Sequence, residues 1–202
     1  GWGGVYDAVI LAAGDFPTHP IPASLLDHPR VVCCDSAAEA FIASRRTPYA
    51  VVGDGDSLSA DTKLQVRFIH VKDQETNDLT KAVQWAVTVP DEFTAKSIAI
   101  IGATGKREDH SLGNISLLID YMHMGIDVQM ITDHGIFVPC HGTRTFTARG
   151  NRQEVSIFNF TCTQLTGEGL DYSLRPFTNW WQGTLNYVNA PSFTIHADGD
   201  YL

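Results

Sequence analysis

The chain has 202 residues, of which 44% are hydrophobic and 18% are charged, and this composition excludes a disordered tail or a coiled coil. Its formal net charge of −9, from 14 basic and 23 acidic residues, argues against nucleic acid as a partner. The longest wholly apolar run, Ala8–Ala13, is far shorter than the roughly 20 residues of a membrane-spanning helix. We therefore expect a cytoplasmic globular protein that binds neither nucleic acid nor membranes and keeps its four cysteines reduced.

Short apolar runs alternate with helical patterns up to about residue 133. The runs are apolar on both faces, as in a parallel sheet that is covered by helices. The predicted strands are Ala8–Ala12, Val31–Cys34, Ala50–Val52, Phe68–Val71, Ile98–Ile101 and Val128–Thr132. The predicted helices are Ala37–Ser44, Asp78–Val87 and Ser111–Met124. This alternation predicts an N-terminal doubly wound α/β domain over residues 1–133.

Helical spacing disappears after Asp133. The remaining segments are short, rich in Thr, Val, Phe and Tyr, and separated by Gly, Asn, Asp or Pro. The predicted strands are Thr143–Ala148, Glu154–Phe160, Leu170–Leu174, Thr184–Val188 and Ser192–His196. Residues 134–202 are therefore predicted to form a smaller all-β sandwich domain.

Acidic residues follow most of the strands in the predicted parallel sheet. The carboxyl ends of parallel strands share one edge of the sheet, and ligands bind at that edge. Mg²⁺ with a polyphosphate would relieve the repulsion among these carboxylates, because Mg²⁺ prefers carboxylate and phosphate oxygens. Asp54 and Asp56, which flank Gly55, form a candidate metal pair. Loop and helix-capping preferences are sufficient to explain three others, Asp15, Asp73 and Asp133.

Two further segments place polar groups at helix starts. Gln74–Lys81 opens the second predicted helix, with Thr76 or Asn77 as the cap and with Asp78 and Lys81 on one face. Capping alone would also account for Asp78. Gly102–His110 joins a strand to a helix and differs from a Walker A loop, because only two residues separate its glycines. Its glycines and basic residues still predict an anion site.

Taken together, these motifs resemble the thiamin pyrophosphokinase family. The matching segments are Gly53–Ser57, Gln74–Asp78 with Lys81, Gly102–Gly105 with Arg107, Asp109, His110 and Asn114, then Gly169–Leu174 and Gly183–Asn186. The resemblance implies an α/β nucleotide-binding catalytic domain and a β-sandwich thiamin-binding and dimerisation domain. It further implies a homodimer with thiamin near the subunit interface.

The resemblance also implies a reaction and a set of site residues. The reaction is transfer of the pyrophosphoryl group of ATP to the hydroxyl of thiamin, which gives thiamin diphosphate and AMP. Lys81 and Arg107 would offset charge on the transferred group. Mg²⁺ would be held by Asp54, Asp56, Asp78 and Asp109. ATP would be bound by Asp35, Gln74, Thr76 and Lys106. Thiamin would contact Ser57, Trp180, Trp181, Asn186 and Tyr187.

Two other functions are compatible with the same residues. One is an Mg²⁺-dependent phosphatase or kinase that acts on another small alcohol. The other is a regulatory module that senses ATP without turnover, although a sensor has little need of four candidate metal ligands. Trp180 and Trp181 are equally compatible with the core of a small sandwich.

Overall fold

The computed structural model describes residues 6–89 and 94–202, which form two compact units. The first unit ends at Phe137, and the second runs from Val138 to Leu202. Among the described residues, no helix is both long enough and apolar enough to cross a bilayer.

The first unit is built on a seven-stranded sheet. Its strands are β1 (Ala8–Leu11), β2 (Val31–Cys34), β3 (Ala50–Gly53), β4 (Phe68–His70), β5 (Ser97–Ile101), β6 (Asp127–Ile131) and β7 (Ile136–Phe137). Their order in the sheet is β4-β3-β2-β1-β5-β6-β7. The first six strands are parallel, and β7 pairs with β6 in the antiparallel sense. The predicted parallel α/β architecture is therefore confirmed.

Helices cover the sheet because both faces of its strands are apolar. Neighbouring residues in β1, such as Ile10 and Leu11, point to opposite faces and are both at most 1% exposed. The helices are α1 (Pro20–Leu25), α2 (Asp35–Ala43), α3 (Ala60–Gln65), α4 (Asp78–Thr88) and α5 (Glu108–His123). The apolar stripe predicted for α4 is buried, including Leu79, Ala82, Val83 and Ala86.

The prediction misses two helices and misplaces the start of two others. The helices α1 and α3 have six residues each, which is too short for a repeated apolar spacing to be visible. The helix α2 begins at Asp35 rather than Ala37, and α5 begins at Glu108 rather than Ser111. In both cases the polar first turn extends the helix beyond its apolar stripe.

The second unit consists of short antiparallel strands and one 3₁₀ helix, Trp180–Gly183. Its strands are β8 (Cys140–His141), β9 (Arg144–Thr147), β10 (Glu154–Val155), β11 (Leu165–Glu168), β12 (Asn186–Tyr187), β13 (Ser192–Ala197) and β14 (Asp200–Tyr201). They pair as β11-β13-β9, β14-β8 and β10-β12. Buried residues such as Leu165, Phe193, Ile195 and Tyr201 form its core. The predicted smaller β-rich domain is confirmed.

Three of the predicted strands in this unit are wrong in extent. The predicted Thr184–Val188 strand is reduced to Asn186–Tyr187. The predicted Glu154–Phe160 strand is reduced to Glu154–Val155. Leu170–Leu174 is not a strand, and within it only Leu170 makes a bridge, with Val188. The backbone of this segment is instead held by Asn186, because the Tyr172 amide donates to the Asn186 side chain and the Tyr172 carbonyl accepts from it.

Candidate active site

A cleft of about 580 Å³ lies at the carboxyl edge of the parallel sheet. The strand order reverses at β1, because the chain moves outward through β2, β3 and β4 and then returns to β5 on the other side of β1. The loops that follow β1 and β5 therefore diverge, and such a switch point is where ligands bind in doubly wound sheets. Residues 12–14, 77–79 and 103–114 contribute most of the lining.

The loops after β1 and β5 are joined by backbone hydrogen bonds. The Gly14 amide donates to the Gly102 carbonyl at 2.7 Å, and the Asp15 amide donates to the Thr104 carbonyl at 2.8 Å. A Cβ atom at Gly14 would lie 2.3 Å from the Thr104 carbonyl oxygen, so no other residue fits there. Gly105 has a φ of +81°, and a Cβ there would lie 2.1 Å from the carboxylate of Asp15.

Basic groups lie where α5 begins. Lys106 has a φ of 61°, and its Nζ donates to the carbonyl of Ala13 at 3.1 Å. Arg107 precedes the first turn of α5 and pairs with Asp109 at 2.8 Å. The hydrogen bond from Arg107 is the main reason why the pKa of Asp109 lies below its usual value. All three side chains line the cleft, next to the amide groups of a helix N-terminus.

A second charged cluster lies where α4 begins. Nζ of Lys81 is 3.8 Å from Oδ1 of Asp78, and Asp78 also lines the cleft. Lys81 is only 5% exposed, so its charge needs nearby carboxylates. The pKa of Asp54 is lowered first by the hydrogen bond from the Asp56 amide and also by the charge of Lys81. Lys81 therefore connects Asp54 electrostatically with Asp78.

Asp35 supports the loop that carries Asp54. Its side chain is buried, and its Oδ2 accepts a hydrogen bond from the Gly55 amide at 3.0 Å. Burial is the main cause that raises the pKa of Asp35, and the adjacent carboxyl of Asp54 raises it further. Gly53 must remain a glycine, because a Cβ there would lie 2.6 Å from Cγ of Asp35. Asp35 thus fixes the position of this loop through its hydrogen bond to the Gly55 amide.

The predicted magnesium ligands form a partial donor set. Asp78 and Asp109 line the cleft. Asp54 shares the charge of Lys81 with Asp78, and Asp56 lies exposed on the loop after β3. Within residues 6–89 and 94–202, no three His, Cys, Asp or Glu side chains are grouped so that they could hold a metal ion. Mg²⁺ usually takes one or two carboxylates and completes its shell with phosphates and water. The carboxylates present fit that manner of binding.

Gln74 and Thr76 belong to a tight loop before α4. The Thr76 hydroxyl and the Glu75 amide both donate to Asp73, at 2.8 Å each, and the Gln74 side chain donates to the Lys72 carbonyl at 3.2 Å. Both residues precede Asn77, which is where this segment begins to line the cleft, and their side chains shape the loop rather than the cleft wall.

Two asparagines join the walls of the cleft, and neither is among the site residues that the sequence predicts. Asn77 caps α4, as one of the two predicted caps, by accepting from the Thr80 amide at 2.9 Å. Its Nδ2 donates to Oδ1 of Asn114 at 3.0 Å, and Nδ2 of Asn114 donates to the Ala103 carbonyl at 2.9 Å. The two residues are 37 positions apart, so spacing along the chain gives no signal for the contact.

The predicted thiamin contacts differ in their surroundings. In the second unit, Trp181 is 70% and Trp180 43% exposed, so Trp181 is not a core residue. Trp180 packs on Phe158 and Phe160, at ring centroid distances of 5.8 and 5.7 Å. The ring of Tyr187 is covered by the guanidinium of Arg152 at 5.0 Å.

Asn186 and Ser57 are placed differently from these aromatic residues. Asn186 is buried, and its side chain is occupied by the backbone of Tyr172 and by the Tyr187 amide. It positions Tyr172, whose side chain is 62% exposed. Ser57 is exposed on the loop after β3, in the first unit.

Two family models match this chain. The model described as thiamin pyrophosphokinase, catalytic domain, matches residues 23–130, and the one described as thiamin pyrophosphokinase, substrate-binding domain, matches residues 135–202. The thiamine pyrophosphokinase of Bacillus subtilis (strain 168) is 26% identical over 165 residues, which cover 76% of this chain and 73% of that protein. Thiamin pyrophosphokinase 1 of Caenorhabditis elegans is 32% identical over 79 residues, which cover 37% of this chain and 32% of that protein. The chain thus aligns with about a third of the nematode protein.

Solved structures share the fold. A crystal structure of thiamine pyrophosphokinase from Bacillus subtilis superimposes with a TM-score of 0.74 at 21% identity, over 96% of this chain and 95% of that chain. A crystal structure of yeast thiamin pyrophosphokinase gives a TM-score of 0.74 at 15% identity, over 97% of this chain and 84% of that chain.

Proposed function

The chain belongs to the thiamin pyrophosphokinase family, and we propose that it transfers the pyrophosphoryl group of ATP to the hydroxyl of thiamin, giving thiamin diphosphate and AMP. The observation that carries this proposal is the cleft at the strand switch point. There Asp78 and Asp109 lie together with Lys106 and Arg107, and the buried Lys81 pairs with Asp78.

The cleft is suited to a triphosphate. The amides at the start of α5, with Lys106 and Arg107, offer donors and positive charge to phosphate oxygens. Gln74 and Thr76 orient ATP through the loop that they shape, and Asp35 acts indirectly by holding the loop of Asp54. An acidic protein with a net charge of −9 that binds such an anion usually places a divalent cation between its carboxylates and the anion.

Mg²⁺ is the cation that these oxygen donors favour, with Asp54, Asp56, Asp78 and Asp109 as its candidate ligands. When bound, Mg²⁺ shields the phosphate charge and makes the phosphorus more electrophilic. In the reaction, the thiamin hydroxyl oxygen forms a bond to the β-phosphorus. The bond from that phosphorus to the bridging oxygen of AMP breaks, AMP leaves with the electron pair, and the hydroxyl proton is released. Lys81 and Arg107 stabilise the negative charge that is redistributed in this step.

For thiamin we propose a site that includes aromatic residues of the second unit. A cationic thiazolium ring stacks favourably on an aromatic face, and Trp181 offers an open one, with Trp180 and Tyr187 close in sequence. Asn186 contributes by positioning Tyr172.

We further propose a homodimer with thiamin near the subunit interface. Exposed apolar side chains at Tyr172, Trp181 and Leu185 support association through this unit. The four free cysteines fit a reducing compartment such as the cytoplasm.

Nucleotide analysis after incubation with ATP, Mg²⁺ and thiamin tests the proposal. We expect one AMP for each thiamin diphosphate formed, and no AMP without thiamin. Formation of ADP with thiamin monophosphate would instead identify an ordinary kinase. Hydrolysis that is independent of thiamin would identify a phosphatase, and ATP binding without turnover would identify a sensor.

A further inference from the structure

We propose that Asn77 and Asn114 act as positioning residues that fix the distance between the two charged walls of the cleft, an inference that rests on the proposed function of this cleft. We call the chain of hydrogen bonds from the Thr80 amide through Asn77 and Asn114 to the Ala103 carbonyl the amide bridge. Neither asparagine has to react with a substrate in this role.

The backbone groups at the two ends determine how both amides are oriented. The Thr80 amide can only donate, so the oxygen of Asn77 must face it. The Ala103 carbonyl can only accept, so the nitrogen of Asn114 must face it. The atoms that remain, Nδ2 of Asn77 and Oδ1 of Asn114, then form a matched donor and acceptor 3.0 Å apart. The bridge therefore has one satisfied arrangement.

The bridge connects the two segments that carry the charged groups. At one end Asn77 immediately precedes Asp78 and lies one turn before Lys81, at the start of α4. At the other end Ala103 lies in the loop that leads to Lys106 and Arg107. Asn77, Ala103 and Asn114 all line the cleft between these groups. Because the two segments belong to different strand–helix units, this contact bears directly on their separation.

Pyrophosphoryl transfer depends strongly on that separation. Groups that stabilise a transferring phosphoryl group act mainly through position and charge, and a misplacement of about 1 Å can reduce a rate about 100-fold. The amide bridge is neutral, so breaking it changes the geometry of the cleft and leaves its charge unchanged. This property allows positioning to be tested apart from electrostatics.

Two substitutions break the bridge and preserve other features. Asn77→Ser keeps a side-chain oxygen that can cap α4, but the shorter side chain cannot reach Asn114. Asn114→Leu keeps the branched shape of the side chain within α5 and removes both hydrogen bonds. Ser116→Ala is the matched control, because it removes a side-chain hydrogen bond of α5, to the Gly113 carbonyl at 2.8 Å.

Each bridge variant is expected to lower kcat/KM for ATP by about 10- to 100-fold. The dissociation constant of a non-hydrolysable ATP analogue with Mg²⁺, measured by calorimetry, is expected to rise about tenfold. The double variant should lose no more than the worse single variant, because both substitutions break the same bridge. The KM for thiamin of the bridge variants should equal that of the wild type. The Ser116→Ala protein should match the wild type in every one of these measurements.

Three outcomes would overturn the bridge as a positioning device. The first is that each single variant binds the analogue as tightly as the wild type does. The second is that the losses in kcat/KM for ATP multiply in the double variant. The third is that the wild-type chain fails to bind the analogue. A merely structural role would lower the melting temperature and leave the dissociation constant at 25 °C unchanged. Binding without formation of AMP would overturn the proposed reaction instead, while the dissociation constants would still decide the role of the bridge.

Discussion

Nζ of Lys81 lies 3.8 Å from Oδ1 of Asp78, one turn earlier in α4, and the two side chains differ in exposure, at 5% and 51%. The carboxylate therefore keeps water and access to the cleft, while the ammonium stays inside with little hydration. Lys81 also lowers the pKa of Asp73, after the larger effect of the hydrogen bond from the Glu75 amide. The buried charge of Lys81 thus lowers the pKa of two carboxylates on different loops, Asp54 and Asp73.

Lys81→Met should lower kcat by about 10²- to 10³-fold, because it removes a preorganised charge from the reacting phosphates. The melting temperature should fall by only a few degrees, since Asp78 is half exposed and can be hydrated when it loses its partner. Steady-state kinetics and thermal denaturation measure the two effects. Lys96→Met, an exposed lysine just before β5, is the control and should retain activity. Activity near that of the wild type in Lys81→Met would contradict the role of this cation.

Asp56→Asn and Asp78→Asn should each abolish turnover at saturating Mg²⁺ and leave the fold intact. Both changes keep the shape of the side chain and remove a negative charge that a cation would need. The melting temperature of Asp56→Asn should stay level or rise, because like charge is removed from a crowded edge. That of Asp78→Asn should fall by a few degrees, because the buried Lys81 loses its paired carboxylate. Asp127→Asn is the matched control, since Asp127 is exposed at the start of β6, far along the strand from its carboxyl end. Full activity in either site variant would remove that residue from the metal assignment.

Gly14→Ala should disrupt the contact between the loops after β1 and β5. The added Cβ would lie 2.3 Å from the Thr104 carbonyl oxygen, so the paired backbones must separate. We expect weaker ATP binding, by at least tenfold, and a lower melting temperature. Gly135→Ala is the comparison, because a Cβ at Gly135 meets nothing within 4 Å. Equal behaviour of the two variants would mean that the close approach at Gly14 is unimportant.

The strands of the first unit can be predicted closely from its sequence, whereas those of the second unit cannot. Continuous apolar runs such as Val31–Cys34 leave few alternatives to a buried parallel strand, and β2 has the predicted bounds. In the second unit, Leu170–Leu174 has strand-like composition. Its pairing with the chain around β12 ends at Asp171, whose amide donates to the Tyr187 carbonyl, and the backbone of Tyr172 bonds to the Asn186 side chain. Composition does not reveal such a side-chain partner 14 residues away.

In the candidate site, too, some features can be predicted from the sequence and others cannot. Asp78 and Lys81 are recognisable from their spacing in one helix, and Lys106 and Arg107 from one loop. The link between Asn77 and Asn114 requires the fold itself, because 37 residues and a β-strand separate them. Local motifs can thus be predicted one by one, whereas their mutual placement depends on how the sheet brings the loops together.

Burial should make Cys33 unreactive in the native protein. Burial raises the pKa of its thiol to about 12, well above the ~8.5 of a free cysteine. The unfolded chain therefore loses this proton first as the pH rises, so the free energy of unfolding should decline between about pH 8.5 and pH 12. Denaturant titrations of the wild type and of Cys33→Ala should show a smaller decline in the variant. Rapid labelling of native Cys33 by a thiol reagent at pH 8 would contradict this.

Trp180 and Trp181 are neighbours in the 3₁₀ helix, but replacement by alanine should destabilise the protein only at Trp180. Trp180 packs edge-on against Phe158 and beside Phe160, so Trp180→Ala should lower the melting temperature by several degrees. Trp181 is 70% exposed, so Trp181→Ala should leave the melting temperature almost unchanged. A function for its exposed ring must then come from a ligand or a second subunit.

For Trp181→Ala we expect the KM for thiamin to rise up to about tenfold, which corresponds to the ~1.4 kcal/mol of one cation–π contact. The KM for ATP should not change, because the ATP cleft is lined by residues of the first unit. Sedimentation at micromolar concentration should show a homodimer in the wild type and a weaker one in Trp181→Ala, because an exposed apolar ring is lost from the proposed interface. A stable and fully active wild-type monomer would rule out the shared thiamin site. An unchanged KM for thiamin in Trp181→Ala would exclude this ring as the contact and leave Tyr172 and Tyr187 as the aromatic side chains to test next.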